Sequence, residues 1–411
     1  MRTKTSITGY ITFLVWPFFS LIFAMQNYRS SFAKNIMWFF CSYFGYTFVI
    51  SDEEMDANRY RSNFEEFYEW YDMGWNDMLN LLFIFEGQYT DLYRPLITFL
   101  VSRFTGNFQV FFAIIGLVMG YFFSRNIWYL IKQVDKNKPL SIVAILFLFT
   151  FALIVPFWNI NGFRFYTAAH VFLFGTLPFL VEGKKQFLIV ACFSPLLHFT
   201  FVFPVALLLA FGIMGNRINI YFVIFISSIF FVKVDPGLIN DNYKLAPEFI
   251  QTKVRIMTSK DYIKARSKGL NDLNWYVKGS QMAINSIVYF FLIFCFFFRR
   301  KVLKESNLKK LFCFSLFLLG VANFATNVPS GSRFVIVANL FAFSLIFLFA
   351  TLESERSWIG KRLPVFIIPT LIYCIVQMRI GFDFIGLRTI FSNTFISSII
   401  ENDIALIYLF K

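Results

Sequence analysis

Long apolar runs recur along nearly the whole 411-residue chain, and this feature constrains the fold most. A helix of about 20 apolar residues crosses the ~30 Å hydrocarbon core of a bilayer. Inside that core every backbone polar group needs a partner within the protein, which a helix provides. The chain is 58% hydrophobic and 15% charged, whereas soluble domains are roughly half apolar and about a quarter charged. The sequence therefore predicts an all-α, polytopic integral membrane protein with about 11–12 transmembrane segments, forming a single transmembrane domain over 1–411.

The positions of the apolar runs define the predicted segments. These segments are 7–25, 36–50, 107–124, 139–157, 163–181, 187–198, 199–214, 218–234, 280–298, 309–326, 333–352 and 363–380. The first run has no small-residue cleavage site, so we expect no cleaved signal peptide. The stretch 187–214 is too long for one straight crossing, and Pro195 interrupts the helical hydrogen-bond ladder within it. We therefore expect two short limbs that turn near Pro195 and His198.

Basic residues, which give a formal net charge of +14, lie mainly in short connectors between the apolar runs. Connectors rich in Lys and Arg stay on the cytoplasmic side of a membrane, so the connector 299–310 is predicted to be cytoplasmic. Alternation of the segments then places 51–106 and 235–279 outside, as two long outer loops. The basic charges on the two sides of the first segment balance, so charge alone does not orient the N-terminus. Membrane orientation explains the basic composition, and we expect no nucleic-acid partner.

An acidic stretch, 51–92, follows the second segment. Within it Phe64, Phe67, Tyr68 and Tyr71 recur at i, i+3, i+4 and i+7, which predicts an amphipathic helix lying on the membrane surface. The alternative is an ordinary solvated loop that contains a few apolar side chains.

Cationic side chains concentrate at helix ends on the predicted outer side. They are Arg59, Arg61, Arg94, Arg164 and Arg333, and His198 lies at a helix break on the same side. Arg164 and Arg333 each open a segment after a polar turn, and the turn before Arg164 contains Asn161. Guanidinium groups and helix N-termini bind phosphate oxygens well, which predicts a site for an anionic, membrane-embedded substrate reached from outside. The alternative is that each arginine only anchors its helix end among the lipid headgroups.

The remaining motifs restrict the chemistry. His198 is a candidate catalytic residue because it lies at a helix break, whereas His170 follows Arg164 by six residues, faces elsewhere on the helix and is predicted to be structural. The five cysteines form no CxxC pair and are expected to be small core residues. The sequence contains no HExxH, DxD, P-loop, Gly-rich dinucleotide or GxSxG motif, so we expect neither a metal nor another cofactor.

Four stretches of the sequence resemble the EpsG-like, Wzy-type family of bacterial polysaccharide (O-antigen) polymerases. They are "YFGYTFVISDEEMDANRYRSNFEEF" (43–67), "NGFRFYTAAHVFLFG" (161–175), "LLHFTFVFPVALLLA" (196–210) and "GSRFVIVANLFAF" (331–343). With their order and the number of segments, the resemblance extends over most of the chain.

The resemblance implies a GT-C-like membrane glycosyltransferase of the bacterial inner membrane, with its active site facing the periplasm. Its donor would be a glycan linked to undecaprenyl diphosphate and its acceptor a lipid-linked repeat unit, with a chain-length regulator protein as a further partner. Arg164 and Arg333 would bind the diphosphate, and His198, Asp56 or Asp91 would accept the proton of the acceptor hydroxyl. The predicted catalytic residues are thus Arg164, His198, Arg333 and Asp56, and the predicted substrate-binding residues are Arg59, Arg61, Arg94, Asn161 and Asp91.

Two other functions are compatible with the same residues. An O-antigen ligase would share the donor and the fold class but would use lipid A core as its acceptor. A flippase for the lipid-linked oligosaccharide would also need cationic side chains, but we would expect two related halves around a charged central cavity.

Overall fold

A computed structural model of the protein describes residues 2–50, 55–83, 91–135, 137–230, 274–302, 306–326, 331–352, 363–400 and 403–410. This part of the chain is mostly helical, and within it the only β-type pairing is one isolated bridge between Gly386 and Ala405. Six of its helical segments are long and apolar enough to cross a membrane. The prediction of an all-α, multi-pass membrane protein is confirmed.

The helices are numbered here in chain order. They are α1 (Arg2–Val15), α2 (Pro17–Gln26), α3 (Ser31–Tyr46), α4 (Asp56–Glu69), α5 (Trp75–Phe83), α6 (Tyr93–Ser102), α7 (Phe108–Lys132), α8 (Ile142–Ile154), α9 (Phe163–Glu182), α10 (Leu188–Cys192), α11 (Ser194–Leu197), α12 (Val202–Met214), α13 (Ile218–Phe230), α14 (Trp275–Phe297), α15 (Arg299–Val302), α16 (Ser306–Ala325), α17 (Ser332–Leu352), α18 (Ile367–Gly381), α19 (Leu387–Phe391) and α20 (Thr394–Ile399). A 3₁₀ helix, Phe157–Gly162, leads directly into α9.

The long helices alternate in direction, so their connectors collect at two ends of the bundle. At one end Trp128 Nε1 donates to the carbonyl oxygen of Tyr28 at 2.8 Å. At the other end the amide of Leu92 donates to the carbonyl oxygen of Leu196 at 3.0 Å. We call the first end the basic end, because its connectors and helix termini hold Lys132, Lys138, Lys184, Lys185, Arg217, Arg299 and Lys309. The second end, which includes α4 to α6 and the start of α9, is called the site end.

The predicted break in 187–214 is confirmed. α10 and α11 rise from the basic end to the site end, and His198 then adopts an extended conformation with φ −152° and ψ 114°. A 3₁₀ turn, Phe199–Phe201, leads into α12, which returns to the basic end. Two short limbs therefore replace one long helix, with the turn at the site end.

The first predicted segment, 7–25, is wrong as a single crossing. Pro17 has no amide hydrogen to continue the helix, and α1 and α2 fold against each other on either side of Trp16. The Ser20 hydroxyl donates to the carbonyl oxygen of Gly9 at 2.9 Å, a contact that a continuous helix cannot make across eleven residues. Both ends of this hairpin lie at the basic end, beside the start of α3, since Gly9 packs on Phe32.

Cysteine labelling can test this hairpin. In a chain whose exposed Cys192 is replaced by serine, we expect Ser6→Cys to react with a membrane-impermeant maleimide from the same side as Lys138→Cys. Tyr71→Cys, at the site end, should react from the opposite side. Labelling of Ser6→Cys together with Tyr71→Cys would show a single crossing instead.

The acidic stretch contains the predicted helix, α4, and part of its apolar face packs on the bundle. The buried residues of α4 are Ala57, Tyr60, Phe64 and Phe67. Phe64 stacks on Phe111 with ring centroids 4.7 Å apart. By contrast, the predicted stripe residues Tyr68 and Tyr71 are 50% and 80% exposed. The bundle therefore covers Phe64 and Phe67 of the predicted stripe and leaves Tyr68 and Tyr71 exposed, and the membrane-surface position stays a prediction.

Most of the second predicted outer loop, 235–279, lies outside the described residues, which resume at 274 with the start of α14. Among the cysteines, Cys41, Cys295, Cys313 and Cys374 are buried and Cys192 is exposed, and all five are free thiols.

Candidate functional site

A cavity of about 440 Å³ opens at the site end, between α4, α6 and the start of α9. We call it the cation cavity. Its lining residues are Asn58, Arg59, Tyr60, Ser62, Asn63, Glu66, Arg94 and Arg164. It thus brings together three of the arginines that the sequence predicted, from three separate elements of the fold.

The turn before α9 positions α4 over this cavity. The side-chain oxygen Oδ1 of Asn161 accepts a hydrogen bond from the amide of Ala57 at 2.9 Å, in the first turn of α4. The ring of Tyr60 packs edge-on against Phe163 at 4.8 Å. Asn161 therefore caps a helix start and does not line the cavity, although the sequence predicted that it binds substrate.

Arg164 is held by a buried acid. Its Nη1 donates to Asp91 Oδ2 at 2.8 Å, and its Nε donates to the Tyr60 hydroxyl at 3.4 Å. The side chain of Asp91 is 3% exposed, whereas that of Arg164 is 25% exposed. Asp91 therefore fixes the guanidinium from behind, and the remaining exposed part of Arg164 faces the cavity.

Arg94 and Arg59 complete the cationic lining. Arg94 Nη2 donates to Asn63 Oδ1 at 3.1 Å, and its guanidinium lies 5.4 Å from the ring centroid of Tyr60. Arg59 forms an ion pair with Asp56, and its side chain is 75% exposed. Arg59 is thus the most exposed of the three arginines that line the cavity.

Arg61 lies on another face of α4 and does not line the cavity. Its Nε donates to Glu65 at 2.8 Å, and its guanidinium lies 4.1 Å from the ring centroid of Phe108. This contact anchors α4 to the start of α7. Arg59 and Arg61 are only two residues apart in sequence, but their side chains therefore have different surroundings, and only Arg59 lines the cavity.

His198 and Arg333 do not line the cavity, and both lie against Phe165, the residue that follows Arg164 in α9. The ring of Phe165 packs edge-on against His198 at 5.4 Å, and the guanidinium of Arg333 lies 5.6 Å from the same ring. Tyr166, in the same turn of α9, lies near the charged groups of both Arg333 and Asp56.

The hydrogen bonds of His198 define its tautomer. Its Nδ1 accepts from the amide of Thr200 at 3.4 Å and lies 2.8 Å from the Thr200 hydroxyl. A backbone amide can only donate, so in the neutral imidazole the hydrogen is on Nε2. His198 is therefore disposed to donate a hydrogen bond from Nε2 rather than to accept a proton there.

The start of α9 differs from the predicted open helix N-terminus. The 3₁₀ helix runs into α9 without a gap, and the amide of Phe163 donates to the carbonyl oxygen of Ile160. This first amide of α9 is thus already used, and the guanidinium of Arg164 is the stronger anion-binding group at this position.

His170 is a structural residue, as predicted. It is 2% exposed, and its Nε2 lies 3.0 Å from the carbonyl oxygen of Val155. Asn126 donates to the carbonyl oxygen of His170 at 2.9 Å. These bonds hold α7, α8 and α9 together.

Sequence reasoning missed Tyr60, Asn63 and Tyr166. A stripe beginning at Ala57 and Tyr60 would have given the correct buried face of α4, since these residues precede Phe64 at helical spacing. The contribution of Tyr166 had no local signal, because its charged neighbours come from α4 and α17.

The fold and this site define a multi-pass helical membrane protein with a cation-lined cavity at one end of its bundle. The model of the EpsG family matches residues 36–392, which is most of the chain, and the chain belongs to the EpsG family. No curated protein and no solved structure matches it.

Proposed function

We propose that the protein is a membrane glycosyltransferase that polymerises undecaprenyl-diphosphate-linked oligosaccharide repeat units into O-antigen or a related surface polysaccharide. The observation that carries this proposal is the cation cavity, in which Arg59, Arg94 and Arg164 converge in a chain of the EpsG family. Three guanidinium groups around about 440 Å³ match the charge and the size of a diphosphate with an attached sugar.

The basic connectors support the proposed orientation. Lys and Arg are retained on the cytoplasmic side of bacterial membranes, so the basic end would face the cytoplasm and the site end the periplasm. Lipid-linked donor and acceptor would then reach the cavity from the outer leaflet of the inner membrane.

The proposed reaction transfers the donor glycan to an acceptor sugar. A hydroxyl oxygen of the acceptor attacks the anomeric carbon of the donor, and the bond from that carbon to the diphosphate oxygen breaks. The diphosphate leaves with the electron pair, so negative charge develops on it in the transition state. Preorganised guanidinium groups stabilise that charge, which is the role proposed for Arg164 and Arg94. Arg333 and the Nε2–H of His198, which both lie against Phe165, would stabilise the other phosphate of the donor diphosphate or bind the acceptor sugar.

The proton of the acceptor hydroxyl requires a base, and of the three candidates that the sequence predicted, Asp56 is the one that could accept it. Asp91 is buried and paired with Arg164, so it cannot meet a substrate hydroxyl. His198 carries its hydrogen on Nε2 in the neutral form. Asp56 is 34% exposed and its partner Arg59 is 75% exposed. A phosphate that draws Arg59 away would free the Asp56 carboxylate to accept the proton.

We expect Asp56→Asn to lower polymer formation by about 100-fold or more, which is the usual effect of losing a general base. Asparagine keeps the shape of aspartate at the start of α4, so protein level should be unchanged. Glu65→Gln is the matched control, because Glu65 is also paired with an arginine of α4 but lies away from the cavity. Long-chain glycan per unit of protein is the measurement. Equal polymer from both variants would exclude Asp56 as the base.

Deletion of the gene, followed by a gel of surface glycan, tests the proposed function directly. A polymerase defect leaves one repeat unit on each lipid. Bare lipid A core would instead show a ligase, and lipid-linked units trapped on the cytoplasmic side would show a flippase. An unchanged glycan ladder would contradict all three functions.

A further inference from the structure

A second cavity, of about 550 Å³, lies at the site end just beyond the C-terminal end of α4. We call it the aromatic groove. Its lining includes Glu69, Trp70, Tyr71, Asp72, Asp77 and Asn80. Trp70 and Tyr71 are 48% and 80% exposed. Exposed aromatic rings in a concave site present flat apolar faces, on which the C–H faces of a sugar ring can stack while neighbouring polar groups bind its hydroxyls.

The backbone of the aromatic groove is held in place. Arg103 Nη1 donates to the carbonyl oxygens of Trp70 and Tyr71 at 2.9 and 3.0 Å. The amide of Gly74 donates to Asp77 Oδ2 at 2.8 Å, which fixes the start of α5. A preformed groove binds a ligand with little ordering cost, so these contacts favour a binding site over a random surface depression.

The charge of the aromatic groove restricts its ligand. Glu69, Asp72 and Asp77 all line it, and none of its described lining residues is basic. Arg103 lies nearby, but its guanidinium is bonded to backbone carbonyl oxygens. Carboxylates accept hydrogen bonds from sugar hydroxyls and attract protonated amines, but they repel phosphates, uronic acids and anionic headgroups. The groove therefore fits neutral sugars or amino sugars.

One face of α4 connects the two cavities. Ser62 and Glu66 line the cation cavity, and Glu69 and Trp70 line the aromatic groove. Residues three and four apart lie on the same helix face, and four residues span about 6 Å along the axis. We propose that the aromatic groove binds neutral or amino sugars of the lipid-linked glycan whose diphosphate occupies the cation cavity. This inference rests on the proposed function and adds a site for the sugar chain.

The inference can be tested by binding of a phosphate-free oligosaccharide, prepared by hydrolysis of the host's own surface polysaccharide. The full chain is purified in nanodiscs, and binding is measured by tryptophan fluorescence and saturation-transfer NMR. We expect Tyr71→Ala and Asp72→Asn each to weaken binding by about tenfold or more. Both side chains are on the surface of the groove, and thermal unfolding will confirm that the variants remain folded. Arg164→Lys should bind this probe normally, because the probe has no phosphate.

Phe104→Ala is the matched control, since Phe104 is 87% exposed in the connector after α6 and does not line the groove. It should bind like the wild type. Equal weakening by Phe104→Ala would show that the rings of Tyr71 and Phe104 only anchor the protein at the bilayer surface. Unchanged binding by Tyr71→Ala, or no binding by the wild type, would also overturn the inference.

Gene deletion distinguishes a failure of the proposed function from a failure of the aromatic groove. An unchanged surface glycan after deletion refutes the proposed function, whereas loss of polymer with normal probe binding by Tyr71→Ala refutes only the aromatic groove.

Discussion

Arg164→Lys is expected to lower polymer formation by about 30- to 1,000-fold, equivalent to roughly 2–4 kcal/mol of lost transition-state stabilisation. A guanidinium can bond Asp91 and Tyr60 on one side and a phosphate on the other, as the geometry of Arg164 requires. An ammonium is a compact point charge and cannot reproduce that planar arrangement. Long-chain glycan in cells with matched protein levels is the measurement.

Alanine at this position is a less specific test. Arg164→Ala removes the ion-pair partner of the buried Asp91 carboxylate, which costs on the order of 3–5 kcal/mol and should lower the protein level. The double variant Arg164→Ala with Asp91→Asn should restore the protein level, because the buried negative charge is removed together with the cation. It should not restore polymer formation, because the guanidinium is still absent.

The control for the lysine variant is Arg379→Lys, in another arginine–aspartate pair at the site end that does not line the cavity. It should retain full-length polymer. Full-length polymer from Arg164→Lys as well would show that Arg164 only anchors its helix end and would leave the diphosphate site without support.

Gly116→Ala is expected to destabilise the protein by about 1–3 kcal/mol or more, which is the cost of overpacking a tight contact. α3 and α7 cross so closely that a Cβ atom at Gly116 would lie 2.3 Å from the carbonyl oxygen of Cys41. A Cβ atom at Gly45 would similarly lie 2.2 Å from the carbonyl oxygen of Phe112. Backbone cannot move aside as a flexible side chain can, so the helices must separate. Small residues permit such close approach of helices in membranes.

Thermal unfolding in detergent measures this effect, and Gly212→Ala is its control. Gly212 lies in α12, where an added Cβ atom meets nothing within 4 Å. Alanine there should leave the melting temperature unchanged or raise it, because alanine favours helix by about 1 kcal/mol over glycine. Equal melting temperatures for Gly116→Ala and the wild type would mean that α3 and α7 do not cross at these glycines.

The sequence alone determined the class of fold and most of its segments. Burial of the backbone in hydrocarbon demands long apolar helices, so hydropathy located the segments from 36–50 onward. The same reasoning predicted the turn near His198, because proline cannot continue a helix and 187–214 exceeds one crossing. It also predicted the helix α4 and the position of Arg164 at the start of α9. These features are local, since each depends on residues within a few turns of one another.

Tertiary structure alone decided which surfaces and charges meet. Helical periodicity shows that α4 has an apolar face, but lipid and protein are equally apolar partners, so only packing assigned that face to the bundle. Pro17 marks the break in the first segment locally, but the folding of α1 against α2 depended on α3 as their partner. Arg164 and Asp91 are 73 residues apart in sequence, and Arg59 and Arg61 diverge because two residues on a helix differ by about 200° in direction. Pairing of charges follows from which helix faces come together, which no local pattern in the sequence specifies.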